Sequence, residues 1–399
     1  MRLLTAVFCL LMAAANARAE PLAVKVGVLT DMTGFLSEGT GPGSAAAAEL
    51  AAEDARRLYP NLKIEIISAD HQNKADIGSA TARRWFEVEK VDAIIDLTNS
   101  AVGIAVQDIG RTLGKLTIST VGTSLLTEKY CSPTGIQWTM DTYTYSKAVT
   151  SGLMKSGADT WFFITVDYAG GHGLEESMSS FVKAAGGKVL GAVRHPSGAS
   201  DFGSFLLQAQ ASKAKVIGLA NAGGDTINTI KQAQEFGIVK GGQLIAVPTF
   251  FLTDIHALGL QTAQGVRFAS PFYWDMNDDT RAWSKRFFDR MKKMPAHPQA
   301  GVYTALMHYF KAVNATHSTD AKTVIAKMRE LPINDFMTQN GKLRENGSVV
   351  RQRLLLEVKT PAESKYPWDY AKIVQTMTPE EAAPKPLSET GCNLVANQN

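Results

Sequence analysis

Apolar and polar positions alternate along the chain in two different rhythms, and the rhythms change places at regular intervals. Val24–Leu29 alternates with a period of two and is rich in valine, which predicts a strand. Thr30–Gly43 carries glycine, serine and threonine and predicts a loop. Ala45–Ala55 is a strong helix former, with Ser44 at the N-cap position. The cycle repeats. Strands are predicted at Lys63–Ser68, Ala93–Leu97 and Leu116–Thr120, with one helix over Ile77–Val88 and another that follows the Thr98–Gly103 segment and runs to Gly110. The pattern resets near Trp138–Tyr145 and a second series follows. Helices are predicted at Lys147–Lys155, Leu174–Ala185, Phe202–Ser212 and Thr226–Phe236, and strands at Thr160–Val166, Lys188–Arg194, Val216–Leu219 and Leu244–Val247. After a strand at Val266–Ala269 the rhythm breaks again into helices at Asp279–Met291, Gln299–Asn314 and Ala321–Glu330. A hairpin over Asn334–Leu356 would turn at Asn340-Gly341 and Asn346-Gly347.

Alternating strands and helices with short connections predict an α/β fold with parallel, doubly wound sheets. Two such series and a return predict two lobes joined by a three-strand hinge. The expected division is a leader at 1–19, lobe one at 20–142 plus 271–333, lobe two at 143–270 plus 334–375, and a C-terminal tail at 376–399.

Composition refines this picture. The 399 residues are 45% apolar and 20% charged, ordinary for a globular chain. The formal charge of +3 leaves no footprint for nucleic acid and no polybasic patch for a membrane. At the N-terminus, Met1-Arg2, the apolar run Leu3–Ala15 and the small-x-small site Ala17-Arg18-Ala19 predict an export leader cleaved near Ala19. Cys9 lies inside that run, which predicts export rather than lipidation. Cys131 and Cys392 remain. An exported chain with two cysteines is expected to bridge them, which would tie the tail back; the alternative is two buried thiols.

Catalytic signals are scarce. The seven histidines show no metal spacing, no GxSxG elbow is present, and Ser180–Lys183 is an isolated SxxK inside a predicted helix. Gly39–Gly43 lacks the Lys-Ser/Thr of a phosphate loop, and Pro42 removes a donor. No cofactor or metal is expected. What remains is a set of loops at strand ends. Asn99-Ser100-Ala101 and Thr120-Val121-Gly122-Thr123 offer hydroxyls and free N–H groups suited to a carboxylate, or they simply cap helices. Tyr143, Tyr168, Asn221, Asp225 and Phe250 come from the second series, and Phe35 and Ser37 from the first loop. Asp225 could accept from a cationic ligand group or cap the following helix.

Taken in order, VKVGVLTDMTGFLSEGTGPGSAAAAELAAEDA, ADHQN, NSAVGIAVQDI, DYAGGHGLEE and LANAGGDTINTIKQAQEFGI resemble the type I periplasmic solute-binding proteins of ABC transporters, the branched-chain amino-acid-binding group. The resemblance covers the mature chain. It implies a periplasmic, monomeric receptor that closes on a small carboxylate-bearing ligand and presents it to an ABC permease. It implies a carboxylate held by Ser100 and the Thr120–Thr123 loop, an ammonium held by Asp225, and Tyr168 closing over the ligand. Trp138, Tyr143, Phe250, Phe272, Tyr273 and Trp274 are expected near the cleft, and relatives rich in aromatics there serve aromatic acids. Two alternatives remain open: a ligand sensor of the same fold, and an exported α/β hydrolase, which would need a nucleophile–base pair.

Overall fold

A computed structural model describes residues 20–395; the expected leader lies outside them. The first lobe opens with β1 (Leu22–Thr30), α1 (Gly41–Leu58), β2 (Leu62–Asp70), α2 (Ala75–Glu87), β3 (Ala93–Asp96), α3 (Ser100–Leu113), β4 (Leu116–Gly122) and β5 (Gly135–Asp141). Its five strands are all parallel, in the order β2-β1-β3-β4-β5. The second lobe follows with α4 (Thr142–Lys155), β6 (Thr160–Val166), α5 (Ala169–Ala184), β7 (Lys188–His195), α6 (Gly203–Ala211) and β8 (Val216–Ala220). It continues through α7 (Gly224–Glu235), β9 (Leu244–Ala246), α8 (Leu252–Leu258), α9 (Leu260–Ala263) and β10 (Arg267–Ser270). Its parallel part runs β7-β6-β8-β9-β10, the same winding as the first sheet. The duplication expected from the rhythm is therefore present in the strand order.

The chain then returns. Helices α10 (Asp278–Met291), α11 (His297–Thr316) and α12 (Ala321–Glu330) cover the first lobe. Ala47, Ala48, Ala51, Ala52 and Ala55 are fully buried on α1, and these small side chains let α11 approach closely. At Gly43 even a Cβ would lie 2.1 Å from the Gln299 amide of α11. Asp54 of α1 accepts from Arg286 of α10 at 2.7 Å and from the Tyr303 hydroxyl of α11 at 2.6 Å.

Three short strands follow, β11 (Ile333–Asp335), β12 (Thr338–Leu343) and β13 (Val349–Val350). Expected in lobe two, residues 334–350 instead pack on lobe one. Gln137 N of β5 donates to Gly347 O at 2.9 Å, and Asn346 Nδ2 donates to Thr127 O at 2.6 Å. The reason is the exposed edge of β5, which this segment covers. The third passage between sheets thus falls at Arg351–Arg353, where both arginines are buried. Finally β14 (Arg353–Val358) pairs antiparallel with β10, and β15 (Ala371–Met377) with β14, extending the second sheet.

Three local expectations change. α1 starts at Gly41 rather than Ala45, because Pro42 suits a first helical turn whose N–H groups are unpaired anyway. Ser44 is therefore inside the helix and not its cap. Strand β5 went unread, since Gly135, Gln137 and Asp141 blur its apolar pattern, although all seven residues are buried. Asn340-Gly341 lies within β12 and pairs with β11, so that hairpin turns at Phe336-Met337, while Asn346-Gly347 turns as expected. Cys131 and Cys392 form a disulfide, with Cα atoms 5.7 Å apart. Lys385 reaches Glu128 at 3.3 Å and further fastens the tail to the first lobe.

Candidate functional site

In each sheet the winding direction reverses between the first and third strands of the series, β1/β3 and β6/β8. Open α/β sheets bind ligands beyond the carboxyl ends of strands at such points. Here the two reversal points face each other across a cavity of about 40 Å³. The first lobe supplies Leu36 after β1, Thr98 and Ser100 after β3, and Val121 and Gly122 at the end of β4. The second supplies Tyr168 and Gly170 after β6, Ala222 after β8, Thr249 and Phe251 after β9, and Thr142, Tyr145 and Leu174 from α4 and α5. A larger cavity of about 310 Å³ lies at the opposite, amino ends of β9 and β10 around Leu244 and Arg267, away from both reversal points.

The backbone leaving β3 is unusual. Asp96 and Leu97 have φ of +92° and +49°, costly for residues with a Cβ, and strain of this kind collects at binding sites. The turn brings Thr98 and Ser100 to the cleft. Asn99 caps α3, its Oδ1 accepting from Ala101 N at 3.0 Å and Val102 N at 3.3 Å. Thr98 Oγ1 is buried with no partner among the described residues. Thr120 does not line the cavity; its hydroxyl donates to Asp96 Oδ1 at 2.5 Å, behind the strand end. Burial raises the Asp96 carboxyl above its ordinary range.

Three helices begin at the cavity wall. α3 starts at Ser100, α4 at Thr142, and α5 follows Tyr168. Each brings the positive end of its dipole and the N–H groups that its cap, Asn99 for α3 and Asp141 for α4, leaves unused. Burial, with the Asp225 carboxylate nearby, pushes the Tyr168 phenol up to about 12. The Tyr145 hydroxyl bonds to His297 Nε2 at 2.5 Å. Burial, reinforced by the neighbouring Arg353 charge, holds that imidazole down at about 3, so it stays neutral.

Of the site residues read from the sequence, Ser100, Val121, Gly122 and Tyr168 meet at this cavity. The others stand elsewhere. Asn99 is the α3 cap, Ala101 is exposed on that helix, and Thr123 caps the short turn Ser124–Leu126. Phe35 sits beside the cavity, and its carbonyl accepts from Gly224 N at 3.4 Å across the lobes. Tyr143 packs edge-on against Phe181 instead, with ring centroids 5.0 Å apart. Because α4 starts at Thr142 and not at Lys147, its neighbours Thr142 and Tyr145, three apart, take the cavity face. Phe250 is wholly buried against Phe268, and the next residue, Phe251, faces the cavity, as expected of extended chain. Asn221 is buried, accepting from the Thr226 hydroxyl at 2.8 Å. Asp225 neither lines the cavity nor caps α7 through its side chain; its Oδ2 accepts from Gly198 N at 3.2 Å. The aromatics expected around the cleft are core residues: Trp138 packs under Arg351, Phe272 against Trp283, and Trp274 Nε1 donates to Trp368 O at 2.9 Å. Thr249 and Leu36 went unread, and their places at strand ends were the only signal.

Two duplicated lobes that enclose a hydroxyl-lined cavity at their facing reversal points define a two-lobed solute-binding protein. The chain belongs to the periplasmic binding protein family, which matches residues 23–365. A Burkholderia mallei periplasmic binding protein is 43% identical, with 94% of this chain and 99% of that one covered and a TM-score of 0.90. A branched-chain amino acid ABC transporter periplasmic ligand-binding protein from Burkholderia xenovorans is 38% identical, covering 93% and 99%, with a TM-score of 0.84. A Rhodopseudomonas palustris ABC transporter solute-binding protein in complex with benzoate is 19% identical, covering 93% and 99%, with a TM-score of 0.79, and shares the fold. No curated protein matches the chain. Family and structural relatives are substrate-binding proteins, so this chain is a periplasmic solute-binding protein and not an enzyme.

Proposed function

We propose that the protein is the receptor of an ABC importer and captures a small carboxylate-bearing solute, an amino acid or an aromatic acid, between its lobes. The observation that carries this reading is the convergence of the N-termini of α3, α4 and α5 on one cavity lined by hydroxyls. A carboxylate there gains charge-assisted hydrogen bonds from Ser100, Thr98 and backbone N–H groups, of about 1.5–3 kcal/mol each. Leu36, Val121, Leu174 and Phe251 supply an apolar wall for the rest of the solute.

The cavity of about 40 Å³ has room for one or two water molecules, so a solute enters only when the lobes part. Bound to lobe one through Ser100, it shifts the population toward a form in which Tyr168 and Phe251 close over it, and a permease distinguishes that form. The mature chain starts near Glu20, resides in the periplasm as a monomer and needs no nucleic-acid partner. A thermal-shift screen of carboxylic acids, amino acids and the corresponding amides tests the reading. The acids raise the unfolding midpoint and the amides do not; stabilisation by amides alone would refute it.

A further inference from the structure

The chemistry of the cavity wall bears on which second functional group the solute carries. Among the residues that line the cavity there is no Asp, Glu, Lys, Arg or His. Asp167, next to Tyr168, bonds to His172 at 2.8 Å, and two buried acids close to the lining in sequence are also engaged elsewhere. Asp141, one residue before Thr142, caps α4 by accepting from Thr144 N at 2.7 Å. Asp225 is 2% exposed and accepts from Gly198 N at 3.2 Å. Among the described residues, the three helix N-termini bring positive dipole ends to the wall, that of α4 partly offset by its cap Asp141, while the Asp225 carboxylate lies behind Tyr168 and turns to Gly198. Such a wall favours one negative group and opposes a positive one. An ammonium buried here would lose its water and, with Asp225 turned to Gly198, find no carboxylate in the wall itself, a costly arrangement for a buried charge. Thr98 Oγ1, buried and without a partner among the described residues, adds a free hydroxyl donor on the same side.

We propose that the cognate solute is a small carboxylic acid with an apolar body and no amino group. This rests on the carboxylate reading of the same cavity. Asp225, which the family resemblance casts as the ammonium partner, then serves to anchor the loop at Gly198.

The test is a calorimetric titration of the mature protein, unfolded, dialysed and refolded to strip any co-purified solute. The probes are matched pairs: 3-methylbutanoate and valine, 4-methylpentanoate and leucine, benzoate and phenylglycine, 3-phenylpropanoate and phenylalanine. The expected result is that in every pair that binds, the acid without the amine binds at least ten-fold more tightly. An amino acid that binds as tightly as its partner, or more tightly, overturns this inference and leaves the carboxylate site standing. Binding by no member of any pair overturns the carboxylate site itself, and the inference with it. Asp225→Asn separates the roles further. If the acid pairs are right, the variant binds the preferred acid within about three-fold of the parent; selective loss of amino-acid binding contradicts the assignment.

Discussion

Ser100 sits at the first position of α3 while its neighbour Asn99 does the capping, and this division of labour leaves the Ser100 hydroxyl to the cavity. Ser100→Ala removes one charge-assisted hydrogen bond, a loss of about 1.5–3 kcal/mol. Affinity for the preferred acid is expected to fall about 10- to 100-fold by calorimetry with the unfolding midpoint of the free protein unchanged; an unaltered affinity would place the carboxylate elsewhere. A second residue reports on pH. His308 Nε2 donates to Met328 O at 2.9 Å, and burial lowers its pKa from 6.5 to about 4. The unfolded chain takes up a proton below pH 6.5 and the folded chain only near 4. Stability is therefore fully present above pH 6.5 and is lost as pH falls toward 4, by up to about 1.4 kcal/mol per pH unit from this group. His71 and His297 act in the same sense, and Asp254, raised to about 7 by burial, in the opposite one. Denaturant melts of His308→Gln should show a shallower fall between pH 6.5 and 4, and a slope equal to the parent's would show that His308 titrates normally when folded. At this scale the sequence was only partly legible. Ser100 and Tyr168 could be found from strand ends. Thr249 and Leu36 share that placement but went unread, because nothing about a lone Thr or Leu marks which way a loop will turn it.

Elements were easier to read than residues. Period-two runs such as Thr160–Val166 and the capped helix Ala321–Glu330 have the bounds their patterns predict, since local propensity and burial agree there. Reading failed where cap chemistry or tertiary contact overrode the pattern. The Gly-rich segment before Ser44 became the first turn of α1, and β5 formed from a mixed sequence because β4 on one side and Ser348 on the other supply its partners. Contact between lobes is also set by short elements. Gly223, just before α7, has φ of +58°, and a Cβ there would lie 2.1 Å from Phe35 O of the first lobe. Gly223→Ala therefore opposes closure directly and adds about 1 kcal/mol of backbone strain. Small-angle scattering of the variant with saturating acid should give a larger radius of gyration than the parent, and affinity should fall at least ten-fold. A parent-like radius and affinity would mean the lobes do not close along this seam.

Over the whole molecule, duplication places two equivalent strand-end surfaces face to face, and the strand order alone locates the cleft between them. That much followed from the alternation of strands and helices. The lobe assignment of residues 334–350 did not, because it depends on which sheet edge needs covering. The tail is held by the Cys131–Cys392 bridge across 261 residues. Removing a native disulfide from an exported domain costs about 2–5 kcal/mol. Reduction is thus expected to lower the unfolding midpoint while leaving the cavity residues in place, and the intact mass of unreduced protein after alkylation should show no free thiol. An alkylated Cys131 or Cys392 would contradict the bridge.

A crystal structure of the protein with the tightest-binding acid of the matched pairs would show directly where the carboxylate sits. The lobes should be closed on the ligand, its carboxylate within hydrogen-bond distance of the Ser100 hydroxyl at the N-terminus of α3, and its apolar body against Leu36 and Phe251. A ligand seated elsewhere, as in the cavity beside Leu244 and Arg267, or a carboxylate turned away from Ser100, would contradict this placement.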